Sequence, residues 1–176
     1  MNVAVIYGGR SGEHEVSLVS AAAVARNIKN HNVKLIGITH DGRWFLQGDE
    51  EYKRICADEK SALKIEEKQE NSVSIIPGAG KNSFCVNGKS LEIDLVFPVV
   101  HGTFGEDGTL QGLLEMLPVP YVGCTVLGSA ITMDKEKTKI VLEQAGIKTV
   151  PFYCMRRCDL MDSVRYDAFV EAIVKD

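Results

Sequence analysis

A chain of 176 residues with a formal net charge of -4 is long enough for one domain with a sizeable core and part of another, and its lack of a basic block excludes a nucleic-acid surface as its main business. Its longest apolar run falls far short of a membrane span, and the opening MNVAVIYGGRSGEHEVS has neither the charged front nor the cleavage site of a signal peptide, so no membrane partner and a cytoplasmic location are expected. The five cysteines, Cys56, Cys85, Cys124, Cys154 and Cys158, are odd in number and contain no CxxC pair, which reads as reduced thiols.

Residues 2 to 7, NVAVIY, are a continuous apolar run stopped by glycines, the pattern of a buried parallel strand. From Ser17 the period becomes helical, with Leu18, Ala21, Ala22, Ala25 and Ile28 on one face and Ser17 placed as N-cap. VKLIGIT, Val33 to Thr39, is the next strand, so a right-handed β-α-β unit opens the chain. The stretch from Asp41 to Glu92 reads as an insertion on an edge. It holds short strands at RWFL and SVSIIP, an Asn87-Gly88 hairpin signal, and a charged, solvated helix-and-loop segment from Asp49 to Asn71.

DLVFPVV, Asp94 to Val100, restores the buried-strand pattern. DGTLQGLLEML then reads as a helix with Leu110, Leu113, Leu114 and Leu117 on one side, and VPYVG as a short strand. TVLGSAITM and DKEKTKIVLEQAG are two helical stretches, the second closed by Gly146. KTVPFYC reads as a strand, and SVRYDAFVEAIVKD as an amphipathic helix running to the last residue. The expected class is α/β, a Rossmann-like parallel sheet with helices on both faces over residues 1–124, followed by the beginning of a second domain over 125–176.

Two glycine-rich turns follow buried strands. GGRSGEHEVS lacks the G-x-G-x-x-G spacing of a dinucleotide loop and the Gly-Lys-Ser/Thr ending of a Walker loop, which disfavours a phosphate cradle and a dehydrogenase. Glu13 and Glu15 both suit the positive end of the following helix, which is the reading taken for Glu15. Glu13, nearer the glycines, can equally hold a ligand ammonium by charge-assisted hydrogen bonds. HGTFGEDGTLQG, His101 to Gly112, offers a turn whose amides are expected to be exposed as a floor for an anion, and His101 ends its strand at the same sheet edge as Glu13. His14, His31 and His40 lie in polar stretches and are read as solvated, whereas His101 converges with Glu13 on a site.

Three segments together, GGRSGEHEVSLVSA, VVHGTFGEDGTLQGLLEMLPVPYVG and SAITMDKEKTKIVLEQAGIKTVPF, strongly resemble the D-alanine:D-alanine ligase family of the ATP-grasp superfamily. The resemblance covers both ends of the chain in order and spacing, with Asp41 to Glu92 loosely matched. It implies a pre-ATP-grasp domain over 1–124 and an incomplete start of the central ATP-grasp domain over 125–176. Glu13 then corresponds to the carboxylate clamping the amino group of the first D-alanine, His101 to a histidine at the edge of that pocket, catalytic and substrate-binding alike, and Lys135 to a lysine contacting ATP phosphates.

By the same resemblance the substrates are D-alanine and ATP with Mg2+, the product is the D-alanyl-D-alanine of peptidoglycan precursors, and the assembly is a homodimer. No metal ligand is assigned in this chain, because the magnesium ligands are expected beyond residue 176. On that account the chain reads as an N-terminal portion of a ligase, inactive alone. The alternative is a non-catalytic amino-acid-binding or interaction module derived from the ligase. D-lactate or D-serine in place of the second D-alanine stays open.

Overall fold

The computed structural model describes residues 1–175. The first apolar run forms β1 (Asn2–Gly8), buried along its length after Asn2. It is followed by α1 (His14–Asn27) and β2 (Asn32–Ile38). β2 lies parallel to β1 in register Asn2–Asn32 through Gly8–Ile38. The chain returns to the other side of β1 with β7 (Leu95–Val99), also parallel. Between them β3 (Trp44–Leu46) adds antiparallel to the outer edge of β2, giving the order β3-β2-β1-β7. The sheet is therefore parallel at its centre with one antiparallel edge strand. β2 lies on one side of β1 and β7 on the other, so the strand order reverses at β1 and a crevice opens beyond the carboxyl ends of β1 and β7.

Side chains alternate along β1, and this sorts the core into two layers. Ala4 and Ile6 face one layer with Ile36, Ile38 and three leucines, Leu110, Leu114 and Leu117, of α3 (Thr109–Glu115) and the turn after it. Val5 and Tyr7 face the other with Ala21, Ala22 and Ala25 of α1. The alanines of α1 let the helix approach the sheet closely.

The insertion is more than edge decoration. From α2 (Asp49–Ala57) and the extended segment after it, Ile55 and Leu63 are buried in the α1 layer. From β4 (Val73–Ile75) and β5 (Phe84–Val86), Val73 and Phe84 are buried in the α3 layer. Each such apolar side chain is worth about 1.5–3 kcal/mol against exposure. Tyr7 donates its hydroxyl hydrogen bond to the Lys64 carbonyl at 2.8 Å, and burial pushes its phenol far above the ordinary value. β6 (Lys89–Ser90) completes a small antiparallel sheet of order β4-β5-β6, with Asn87 and Gly88 at φ 49 and 73 in the two-residue turn that the sequence signals.

Other expectations shift. Ser17 is not an N-cap. It lies inside α1, whose N-cap is Glu13 with no side-chain capping bond. VPYVG forms only an isolated parallel bridge, Val96 to Tyr121, because just two backbone bonds, Val96 N–H to Pro120 O and Val122 N–H to Val96 O, reach across.

The described residues divide into two compact units, one from Met1 to Met133 and one from Asp134 onward, so α4 (Val126–Met133) packs with the first. The reason is local to the first unit: Gly108, with no side chain, lets α4 come against α3, and a Cβ there would stand 2.8 Å from the Val126 carbonyl oxygen. The second unit opens on α5 (Lys135–Gln144), where the Asp134 carboxylate accepts the Lys137 N–H at 3.0 Å. This helix closes with Gly146 at φ 75, where Gly146 N–H reaches Glu143 O and Ile147 N–H reaches Leu142 O. KTVPFYC is not a strand. Pro151 removes a ladder donor, and no strand pairs with the segment among the described residues. It is held instead by the Lys139 ammonium over the Phe152 ring and by Tyr153 edge-on to Phe169 of α6 (Ser163–Lys175). The last helix is described as far as Lys175, and Asp176 lies outside the described residues.

Candidate functional site

The crevice beyond β1 and β7 is floored by the two glycine turns. Gly8 has φ 87, and an added Cβ there would stand 2.2 Å from the Ile38 carbonyl oxygen, so only glycine turns the chain this tightly off β1. Ser17 sits beneath both turns. Its hydroxyl accepts the Gly8 N–H at 2.7 Å and donates to the Val99 carbonyl, tying the carboxyl ends of β1 and β7 together from inside α1. Ser11 repeats the device nearer the surface, accepting the Glu13 N–H at 3.1 Å and donating to the His101 carbonyl at 2.7 Å.

Those ties bring Glu13 and His101 to one place. The carboxylates of Glu13 and Glu106 and the imidazole of His101 each offer a donor atom, all within 4.8 Å of one another. Glu106 takes the Gly102 N–H at 2.9 Å and lies 3.4 Å from His101 Nδ1. An ionised carboxylate only accepts, so the ring proton sits on Nδ1 and Nε2 faces the Ser20 hydroxyl at 3.2 Å. Gly102 makes room for this arrangement: it has φ 68, and a Cβ would come within 3.2 Å of both Glu13 Oε1 and Ser11 Cβ. The Glu13 carboxylate itself is exposed and has no hydrogen bond or ion pair among the described residues. The cluster thus presents an exposed carboxylate with no partner among the described residues beside an imidazole, a donor set whose chemistry suits an ammonium group.

The second turn is not the anion floor expected of it. Asp107 accepts the N–H groups of Phe104 at 2.9 Å and Thr109 at 3.0 Å, and Gly105 and Glu106 donate to Gly102 O, so the loop satisfies its own amides. Burial raises the Asp107 carboxyl, but the backbone donors from Phe104 and Thr109 outweigh it and hold the group below the ordinary carboxylate value.

His14 also departs from expectation. It is buried, with Nδ1 donating to the Gly9 carbonyl at 2.8 Å and its ring stacked on His40. His31 and His40 are exposed, as read. Lys135 is the exposed first residue of α5 and belongs to the second compact unit, whereas Glu13 and His101 belong to the first. Sequence reasoning missed the supporting groups Ser11, Ser20 and Gly102. Ser20 had a usable signal, since SLVS puts Ser17 and Ser20 three apart on the helix face turned to β7.

With that geometry in hand, comparison with known proteins is direct. A profile described as the N-terminus of D-Ala D-Ala ligase matches residues 2–124. The chain is similar to the D-alanine–D-alanine ligase of Treponema denticola, 47% identical over 178 residues that cover 100% of this chain and 48% of that protein. It is 40% identical to the enzyme of the same name from Oceanobacillus iheyensis, over 97% of this chain and 47% of the other. Among solved structures it is similar to the D-alanine-D-alanine ligase of Coxiella burnetii, with TM-score 0.78, 34% identity, and coverage of 98% of this chain and 49% of that one. The VanG D-Ala:D-Ser ligase of Enterococcus faecalis gives TM-score 0.71 at 34% identity, covering 99% of this chain and 49% of that one. The chain spans about half the length of the relatives it matches.

Proposed function

Because the chain belongs to the D-alanine–D-alanine ligase family, we propose that it holds the first D-alanine for an ATP-dependent ligase that joins two D-alanines into the D-alanyl-D-alanine of peptidoglycan precursors. In the reaction, ATP phosphorylates the carboxylate of one D-alanine and releases ADP. The amine of the second then attacks the acyl phosphate, forming the amide bond and expelling phosphate. Glu13 holds the first ammonium without competing for the phosphoryl group, and His101, fixed by Glu106 and Ser20, organises the substrates at the pocket edge. The observation that carries this reading is the exposed, uncommitted Glu13 carboxylate at the strand-order reversal, with His101 beside it.

Lys135 is assigned to the ATP phosphates. It fits that role by chemistry, because a lysine ammonium is a compact point charge suited to phosphate oxygens and Lys135 is exposed at the start of α5. Magnesium ions that neutralise phosphoryl charge belong to the same chemistry. Homodimer formation and a cytoplasmic setting belong to the same reading. No helix among the described residues is long and apolar enough to cross a membrane.

Titration of the isotopically labelled chain with D-alanine, read by amide chemical shifts, tests the clamp. Shifts concentrated at Ser11–Glu13 and His101–Glu106 and abolished by Glu13→Gln are expected. Unchanged shifts in that variant would remove the assignment.

A further inference from the structure

A second set of ligand-type side chains, separate from the Glu13 cluster, meets where α1 begins and β2 ends. His14 Nδ1 donates to the Gly9 carbonyl at 2.8 Å, which fixes the tautomer and leaves Nε2 with its lone pair. That nitrogen makes no hydrogen bond among the described residues, although the residue is only 5% exposed. A backbone carbonyl behind one ring nitrogen is the usual support of a metal-ligating histidine. The His40 ring stacks on it with centroids 3.8 Å apart, and His40 Nε2 lies 3.7 Å from Glu15 Oε1. One donor atom from each of His14, Glu15 and His40 falls within 4.8 Å of the other two.

We infer that His14 Nε2, Glu15 and His40 bind one divalent first-row transition ion of the zinc class. The chemistry of the donor set selects it. Two imidazoles and one carboxylate suit zinc with a fourth position left for water, whereas magnesium prefers oxygen donors and keeps its own waters. The surroundings favour a dication. Three carboxylates, Glu15, Asp41 and Glu67, line this hollow against one guanidinium, Arg43, which is engaged by Asp41 at 2.7 Å and by Glu67 at 2.5 Å. His14 is rigid, while the His40 and Glu15 side chains are 69% and 78% exposed and can close the remaining separation. An ion held there would clip the first turn of α1 to the residue two beyond β2, beside the loop that carries Glu13.

Cobalt titration of the reduced chain near neutral pH tests the site, because its spectrum separates imidazole from thiolate ligands and so excludes the cysteines. One cobalt ion per chain is expected, with visible tetrahedral bands, no thiolate charge-transfer band, and displacement by zinc. His40→Ala and Glu15→Gln should each weaken binding by at least about tenfold with unchanged circular dichroism, and zinc should shift the His14 ring nitrogen resonances. Absence of binding, a thiolate band, unchanged affinity in both variants, or magnesium competing equally with zinc would each overturn the inference.

Discussion

The two glycine turns at the sheet edge begin alike and end differently. Each leaves a buried parallel strand, each carries acidic residues, and each feeds a helix. In the first, the backbone is satisfied from outside: Gly9 N–H goes to Ile38 O, Gly8 N–H to Ser17, and Gly9 O receives His14. In the second, Glu106 and Asp107 satisfy the loop's own amides. A carboxylate is therefore available for a ligand only where another element supplies the acceptors that the turn needs, and that singles out Glu13.

This contrast can be broken most sharply by exchanging charge for amide on each side of it. Glu13→Gln should cost about 1.5–3 kcal/mol of D-alanine binding, the scale of a charged hydrogen bond, with the fold unchanged. Glu106→Gln keeps an acceptor for Gly102 and should cost clearly less. Calorimetry or shift titration of the two variants side by side checks the order, and a larger loss at Glu106 would reverse the assignment.

Ser17→Ala strikes both turns at once. It leaves the buried Gly8 N–H and Val99 carbonyl without their common partner, so a loss of about 1–3 kcal/mol is expected in urea unfolding. Loss of the Gly8 amide protection in hydrogen exchange should accompany it.

Gly102→Ala tests the room left for Glu13. A left-handed alanine costs about 1–2 kcal/mol, and its methyl group would press on Glu13 Oε1, so stability and D-alanine binding should fall together.

The smallest effect is expected at Asp107, which serves only its own loop. Asp107→Ala should cost about 1 kcal/mol of stability, the scale of a typical net hydrogen bond, with D-alanine binding retained. Its folded carboxyl lies below the ordinary value of 3.8, so the stabilisation is full above that value and is lost as pH falls through the folded pKa. Unfolding curves of the two proteins should separate at neutral pH and converge in acid.

Much of this was legible in one dimension. The apolar runs of β1, β2 and β7, the alanine face of α1, the leucine face of α3 and the Asn87-Gly88 turn depend on neighbours in sequence, and periodicity reports such neighbours faithfully. The edge insertion was harder, because Ile55, Leu63, Val73 and Phe84 stand in short charged or polar stretches whose burial depends on surfaces supplied by β1, α1 and α3. KTVPFYC has strand composition but no partner strand, and composition cannot provide one.

The candidate site divides the same way. Residue order and spacing in the two glycine motifs determined that Glu13 and His101 follow buried strands at the same edge of the sheet, and the structure made those strands neighbours. Only the tertiary structure decided which carboxylate is uncommitted, that Ser17 belongs under the turns and not at a helix cap, and that His14 is buried. The deciding contacts join residues 90 and 82 positions apart, Ser11 to His101 and Ser17 to Val99. A hydrogen bond across such a separation leaves no local pattern, because neither partner's preference for its own neighbours has to change to make it.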